Sequence, residues 1–470
     1  MVSSLQIVQV RHPKAMAFTL MFGAFIGLFG ETALNMALTN IMADFSVNSA
    51  TAQWLTTGYL LTLGILVPVS SLLIRWFTTK QLLVASLAFS IAGSFLAGLA
   101  PSFAVLFIGR VVQAIGTGIL LPLMMNVILL IFPIHKRGAV MGVMGLVITT
   151  APAIGPALSG LIVDTLGWSY IFWVSLLFYL GLIVFGLKQI DNVSQITKPT
   201  IDVISIVLST VGFGGVIYSL STMAEKSLTS AYVYLPLVVG FVSLLLFAVR
   251  QFKMKQPMIN LRVFKYPMFT LGIVLLFIGM FLILSTAILL PLYMRTSLLV
   301  SAAVAGLVLL PGSALNALLS PVIGMLSDRF GVKTILPIGF LLTAISSVLF
   351  IIIISAETPI WQVVIAFLIF FVGIAMIIMP AQTNGLNELP RELYADGSAV
   401  TNTLQQIAGA TGTALAITFM IHGENLFLEA SPSASSVDVI AEGTKYAFYF
   451  IAGFAITGFI ASLFVKRVRV

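Results

Sequence analysis

The sequence predicts an all-α membrane protein of about fourteen transmembrane helices, and three observations carry that reading. Of its 470 residues, 60% are hydrophobic and only 8% charged, with a mean hydropathy of +1.14; a soluble domain is about a quarter charged. Apolar runs close to the twenty residues that cross a bilayer core recur along the whole chain. These runs are continuous, unlike the short alternating segments of a membrane β-barrel, and in lipid a continuous run satisfies its backbone groups as a helix.

Taken in order, the predicted spans are 15–39, 53–74, 81–100, 103–132, 138–163, 169–187 and 203–223, then 232–249, 269–292, 301–325, 334–354, 361–384, 397–421 and 446–465. The start, Met1 to Lys14, is short and polar and the run after it is too long for a signal-peptide core, so the first span is expected to be its own anchor. Cysteine is absent, which excludes a disulfide framework, a thiol nucleophile and a Cys-based metal site. His12, His135 and His422 stand at span ends without metal-ligand spacing, and no Walker loop is present. The expected cofactor complement is therefore none, and no metal.

An even number of spans leaves both termini on one side, and charge decides which. With that side cytoplasmic, the inside loops hold Arg11, Lys14, Arg75, Lys80, Lys136, Arg137, Lys188, Lys198, Arg250, Lys253, Lys255, Arg262, Lys265, Arg329, Lys333, Arg391, Lys466, Arg467 and Arg469. The outside loops hold only Lys226, Arg295 and Lys445. This bias predicts cytoplasmic termini and accounts for the net charge of +8 without nucleic acid. Glu424, Glu429, Asp438 and Glu442 are expected in a long outside loop. The basic linker 250–268 is read as a topology-fixing tether, with contact to an anionic leaflet as its alternative.

Three segments rise above packing. APAIGPALSG, Ala151 to Gly160, places Pro152 and Pro156 where each removes a backbone donor. Gly155, Ser159 and Gly160 let a neighbouring helix approach closely. The stretch reads as a hinge or as a Pro-kinked packing helix. LFIGRVVQAIGTGILLP carries Arg110, Gln113, Gly116 and Gly118 within one span, and an arginine inside a membrane helix is costly unless paired or functional. GMLSDRFGVK sets Gly324, Asp328, Arg329, Gly331 and Lys333 in a charged turn between two spans.

On these residues the chain resembles the major facilitator superfamily: GMLSDRFGVK looks like its signature loop, Arg110 to Gly118 like its arginine-containing fourth-helix motif, and APAIGPALSG like the antiporter motif of drug exporters. Its span count is similar to that of the fourteen-helix drug:proton antiporters. ETALNMAL, LIRWFTTKQL and QPMINLRVF resemble the bacterial lincomycin-resistance and multidrug exporter branch. The resemblance implies an N-terminal six-helix bundle (1–187), two inserted helices with cytoplasmic linkers (188–268) and a C-terminal six-helix bundle (269–470), working as a monomer in the bacterial cytoplasmic membrane. Two departures stand out. Arg75 occupies the place of the acidic residue in the first-half loop, and Ala114 stands where glycine is usual.

Glu31 is the one carboxylate expected deep in a span, with Asn35 a helical turn on and on the same face. Burial disfavours a carboxylate's charged form and a nearby cation favours it, so Glu31 is the candidate proton carrier, with Arg110 as its partner by resemblance. The alternative is a structural pair without transport work. Asp164, Asp202, Glu388 and Asp396 fall near span ends and read mostly as interfacial charges, with Glu388 a second candidate for the proton. Gly324, Asp328, Arg329 and Gly331 form the candidate cytoplasmic gate, and Pro152, Gly155, Pro156 and Gly160 the hinge. Asn35, Phe25, Trp54, Tyr59, Gln113, Asn316, Met376, Gln382 and Gln405 are candidate cavity residues, each with helix packing as its plainer role. A single deep acid suits monocations or neutral amphiphiles exchanged for protons. The expected activity is export of hydrophobic drugs by drug:proton antiport and alternating access. The alternatives are export of an endogenous lipid, peptide or signalling molecule, and a non-transporting membrane sensor on the same scaffold. No nucleophile–base constellation points to an enzyme.

Overall fold

The computed structural model describes residues 10–132, 134–193, 196, 202–223, 226–227, 229–254, 257, 260–390 and 393–466, and every regular element among them is a helix. In chain order these are α1 (Pro13–Ala33), a 3₁₀ turn (Leu34–Met36), α2 (Leu38–Phe45), α3 (Ser49–Ala52), α4 (Trp54–Trp76), α5 (Thr79–Gly98), α6 (Phe103–Ile131), α7 (Ile134–Thr165) and α8 (Tyr170–Gln189). There follow α9 (Val203–Thr222), α10 (Ala231–Lys253), a second 3₁₀ turn (Leu261–Lys265), α11 (Pro267–Thr296), α12 (Ala302–Phe330), α13 (Val332–Ile353), α14 (Ile360–Asn387), α15 (Tyr394–Ala430) and α16 (Ser436–Ser462). Twelve helices are long and apolar enough to cross a membrane over their described residues. The long helices α4 and α7 stand at the predicted second and fifth spans.

Local chemistry sets the helix ends. Thr78 and Gln81 form a reciprocal capping box at the start of α5. Ser102, Ser301 and Ser435 each accept the backbone N–H of the third residue of their helix. Gly331, at φ +85°, turns the chain between α12 and α13 in a conformation that a side chain would strain.

Two boundaries differ from expectation. The first predicted span is not one helix: α1 stops at Ala33, two residues beyond Glu31, and the chain tightens into the 3₁₀ turn before α2. The regular register that would set Asn35 one turn above Glu31 is therefore broken. The long acidic outside loop also shrinks to residues 431–435, because α15 runs on to Ala430 and α16 starts at Ser436. Hydropathy reports membrane depth, whereas helix length is also set by caps and by pairs such as Lys445–Glu442 at 2.5 Å.

Packing follows small residues. A Cβ on Gly109 would lie 2.8 Å from the Ala97 nitrogen, so α5 and α6 touch backbone to backbone. Gly215 and Gly240 seat α9 on α10 in the same way, a Cβ on Gly215 falling 2.6 Å from the Pro236 carbonyl oxygen. The outer faces of this pair carry exposed Val207, Leu235, Phe241 and Leu245, as a lipid-facing surface requires. Its inner face covers the seam between α4 and α15: Thr418 Oγ1 donates to the Leu220 carbonyl at 3.1 Å, and Trp54 lies 6.0 Å from Tyr218, ring to ring.

Candidate functional site

The buried polar centre sits where α1, α4 and α6 meet. Arg110 on α6 is 1% exposed. Its Nη1 donates to Gln113 Oε1 at 2.9 Å, its Nε to the Leu55 carbonyl at 3.5 Å, and its guanidinium lies 4.1 Å from the centre of the Tyr59 ring, a cation–π contact. Gln113 in turn donates to Ser94 Oγ at 2.8 Å, tying the arginine to α5. Nη2 of Arg110 has no hydrogen-bond partner among the described residues.

Tyr59, expected as a cavity residue, is instead a buried strut 1% exposed. Its hydroxyl donates to the Gly27 carbonyl at 3.0 Å and shares a hydrogen bond with Thr117 Oγ1 at 2.8 Å. Gln113 is likewise buried and committed on both amide atoms. Each is held by helix packing, the plainer of its two expected roles.

Glu31 is 6% exposed, and no side chain or backbone group among the described residues donates to it. The described ion pairs are Arg250–Asp202, Arg295–Asp164 and Lys445–Glu442, so Glu31 and Arg110 form no direct ion pair. Arg110 reaches α1 at the neighbouring residue, where a Cβ on Gly30 would lie 3.7 Å from Nη1. Asn35 bridges further out: its Nδ2 donates to the Ala287 carbonyl on α11 at 3.0 Å, and its Oδ1 accepts from Thr56 Oγ1 at 3.0 Å.

The proline–glycine stretch of α7 touches two helices. Thr32 of α1 donates to the Pro152 carbonyl at 3.4 Å and lies against Gly155. On the adjoining face, Gly160 lies against the Ala302 carbonyl and Gly306 of α12 against the Pro156 carbonyl, neither with room for a Cβ. Asp164 then accepts the Ala302 N–H at 3.0 Å and the Ala303 N–H at 2.7 Å, capping α12. Arg295 stands 3.9 Å from Asp164 and donates to Asn40 Oδ1 at 2.8 Å. Sequence reading left Asp164 as an interfacial charge. Its spacing of four and eight residues from Gly160 and Pro156 was the signal that it shares their face.

These joints lie away from the face that carries both described chain ends. There α12 has no such close neighbour among the described residues: a Cβ on Gly324 would meet nothing within 4 Å, and Leu318, Met325 and Phe330 are exposed. Arg329 is exposed and, among the described residues, reaches only the neighbouring Phe330 ring, at 5.4 Å. The side chain of Asp328 lies outside the described residues. Phe25, Trp54, Asn316, Gln382 and Gln405 are partly buried, and Met376 is packed among Ile323, Ile335 and Ala375. None of these six is hydrogen-bonded to Glu31 or Arg110 among the described residues. Glu388, an alternative proton site, accepts the N–H groups of Met268 and Phe269 at 2.6 and 2.9 Å and so caps α11.

The Major Facilitator Superfamily profile matches residues 20–413. The chain is 51% identical over 464 residues to the lincomycin resistance protein LmrB of Listeria innocua, covering 98% of each chain. It is 52% identical to the Bacillus subtilis protein of the same name, covering 96% of this chain and 95% of that one. A crystal structure of the peptide transporter POT in complex with sulfate superposes with a TM-score of 0.70 at 15% identity, covering 95% of this chain and 93% of that one, a likeness of fold alone. With the profile spanning most of these membrane-crossing helices, the chain belongs to the major facilitator superfamily and is a multi-pass membrane protein.

Proposed function

We propose that the protein is a proton-coupled exporter that exchanges hydrophobic or monocationic drugs for protons by alternating access. One observation carries the coupling: Glu31 is a buried carboxylate with no hydrogen-bond partner among the described residues, set two residues before the end of its helix and beside an arginine with which it forms no ion pair. A carboxylate away from water is stable when it holds a proton or faces a cation, so the two ways of satisfying Glu31 are loading a proton and drawing closer to Arg110. Likeness at 51% identity to proteins named for lincomycin resistance supports drugs, including lincosamides, as the cargo.

In this reading residues 1–187 and 269–470 are two bundles that rock about the seam, with 188–268 inserted between them. The Pro152–Gly160 stretch seals the face opposite the termini, and Gly324–Gly331 gates the open face. Both termini are cytoplasmic, the protein sits in the bacterial cytoplasmic membrane as a monomer, and protons are the coupling ion, with no resident cofactor. Roles in binding cargo fall to Asn35, Phe25, Trp54, Asn316, Met376, Gln382 and Gln405.

The test is drug-triggered proton flux in proteoliposomes under an imposed pH gradient, for wild type and Glu31→Gln. Release in wild type that is lost in the variant is expected. Release that persists in Glu31→Gln overturns Glu31 as carrier, and no drug response in wild type overturns drug export.

A further inference from the structure

The 3₁₀ turn Leu261–Lys265 has a side-chain pattern that transport chemistry leaves unused. In a 3₁₀ helix residues three apart eclipse each other. Leu261 and Phe264 accordingly fall on one face, where both line a cavity of about 70 Å³. Arg262 and Lys265 fall on the next face, exposed, and Val263 is wholly buried. The turn is firmly held. Asn260 Oδ1 accepts the Arg262 N–H at 3.2 Å, the Asn260 N–H donates to Asp396 at 3.3 Å, and Thr270 Oγ1 donates to the Phe264 carbonyl at 2.9 Å.

The cavity beneath lies at the seam that α9 and α10 cover, and Gly64 of α4, Phe213, Phe247 and Thr403 of α15 complete its wall. Thr403 is the odd member. Thr401, Thr413 and Thr418 of the same helix all donate to a backbone carbonyl one turn back. The Thr403 hydroxyl is buried with no partner among the described residues, in a side chain 3% exposed. An unsatisfied buried hydroxyl costs about 1–3 kcal/mol, so a donor here asks for an acceptor from whatever fills the cavity. At the mouth, Arg262, Lys265 and Lys253 at the end of α10 are exposed cations, and none of them forms an ion pair among the described residues.

We propose that this is a binding site for an anionic phospholipid of the leaflet on the terminal face. The phosphate lies against Arg262 and Lys265, a glycerol-ester oxygen accepts from Thr403, and one acyl chain occupies the space beside Phe213 and Phe247. The order of chemistries matches the order of depth. Asp396 is level with the turn through its bond from Asn260, and Thr403 is seven residues further along α15, about 10 Å deeper at ~1.5 Å per residue. A cationic turn over an apolar hole, with the unsatisfied Thr403 hydroxyl between them and Ser209 already bonded to the Ile206 carbonyl, fits a phospholipid better than a soluble anion, which would leave the cavity and the Thr403 hydroxyl unfilled.

The test uses the full chain in nanodiscs of mixed phosphatidylglycerol and phosphatidylcholine, one lipid at a time carrying brominated acyl chains, with Phe213→Trp as the reporter and wild type as background. Saturable quenching of the reporter by brominated phosphatidylglycerol is expected at a mole fraction well below that needed with phosphatidylcholine. One basic side chain near an anionic surface changes binding by roughly fivefold, so R262Q/K265Q should cut the preference by about tenfold or more. Thr403→Val should weaken both lipids alike, and unchanged melting would show that each variant is folded. Equal quenching by the two lipids, or a preference that survives R262Q/K265Q, overturns the site. So does relief of quenching by a hydrophobic drug that binds equally well to R262Q/K265Q, which would assign the cavity to cargo.

Discussion

Replacing Gly160 with alanine tests the crossing of α7 and α12 directly. The added methyl would fall 2.8 Å from the Ala302 carbonyl carbon and 3.1 Å from Ala303 Cα, with the Ala302 oxygen nearer still. All three are backbone or Cα atoms, so no side-chain rotation relieves the clash. Carbon atoms pack at about 3.5–4.0 Å, and the two helices must part by roughly 1 Å. Overpacking of this kind costs about 1–3 kcal/mol. If about 2 kcal/mol falls on the state in which the two helices touch, the balance between joined and parted states moves by roughly 30-fold. The chain has no cysteine, so spin labels on Leu161→Cys and Leu307→Cys, both exposed, report the separation by electron paramagnetic resonance. Gly160→Ala should add a longer-distance population. Gly324→Ala, on the same helix pair but with open space around its Cβ, should leave the distances unchanged. A Gly160→Ala distribution that overlays wild type in folded protein would refute the reasoning.

Three further outcomes follow from the same geometry. Gln113→Leu leaves Arg110 Nη1 and Ser94 Oγ without their present partners, so thermal unfolding in detergent should show a loss of about 2–3 kcal/mol. Glu388→Gln weakens the cap of α11 but should keep drug-triggered proton release, measured in the proteoliposome assay; loss of release would move the proton site there. At Asp202, partial burial pushes the carboxyl up, but bonds from Arg250 and Ser205 outweigh it and hold the group below its ordinary value. The stability it contributes is therefore present above the unfolded value near ~3.9 and is lost as pH falls through the lower folded value. Asp202→Asn should melt earlier than wild type at neutral pH, because the amide keeps the cap but loses the charge that pairs with Arg250. The gap should close as the pH is taken below about 4.

Legibility differed by the kind of physics involved. Apolar run length is local, so the places of the long helices were readable from sequence. Arg110 and Glu31 were readable as buried charges because an ionised group in an apolar run stands out by itself. That they come near each other without pairing was not readable, because it depends on where Tyr59, Leu55 and Gln113 hold the guanidinium. The same holds for Asp164 and Glu388. Each looked like an interfacial acid, and each caps a helix more than a hundred residues away, a partnership that only the packed helices reveal. The end of α1 at Ala33 was hidden for another reason: ETALNMAL contains neither proline nor glycine, so nothing in its composition announces the tighter winding.

That tighter winding has a geometric consequence. Three residues in a 3₁₀ turn advance about 120° and 2.0 Å each, against about 100° and 1.5 Å in an α-helix. Rewinding Leu34–Met36 into the α form would therefore rotate everything beyond it by about 60° and draw it in by about 1.5 Å. Asn35 would be carried off the Ala287 carbonyl, and the far end of the first span would turn like a screw against α11, a motion that labels at Phe18 and Ser46 would register as a shortened distance. A carboxylate three residues below the thread is well placed to be the hand that turns it.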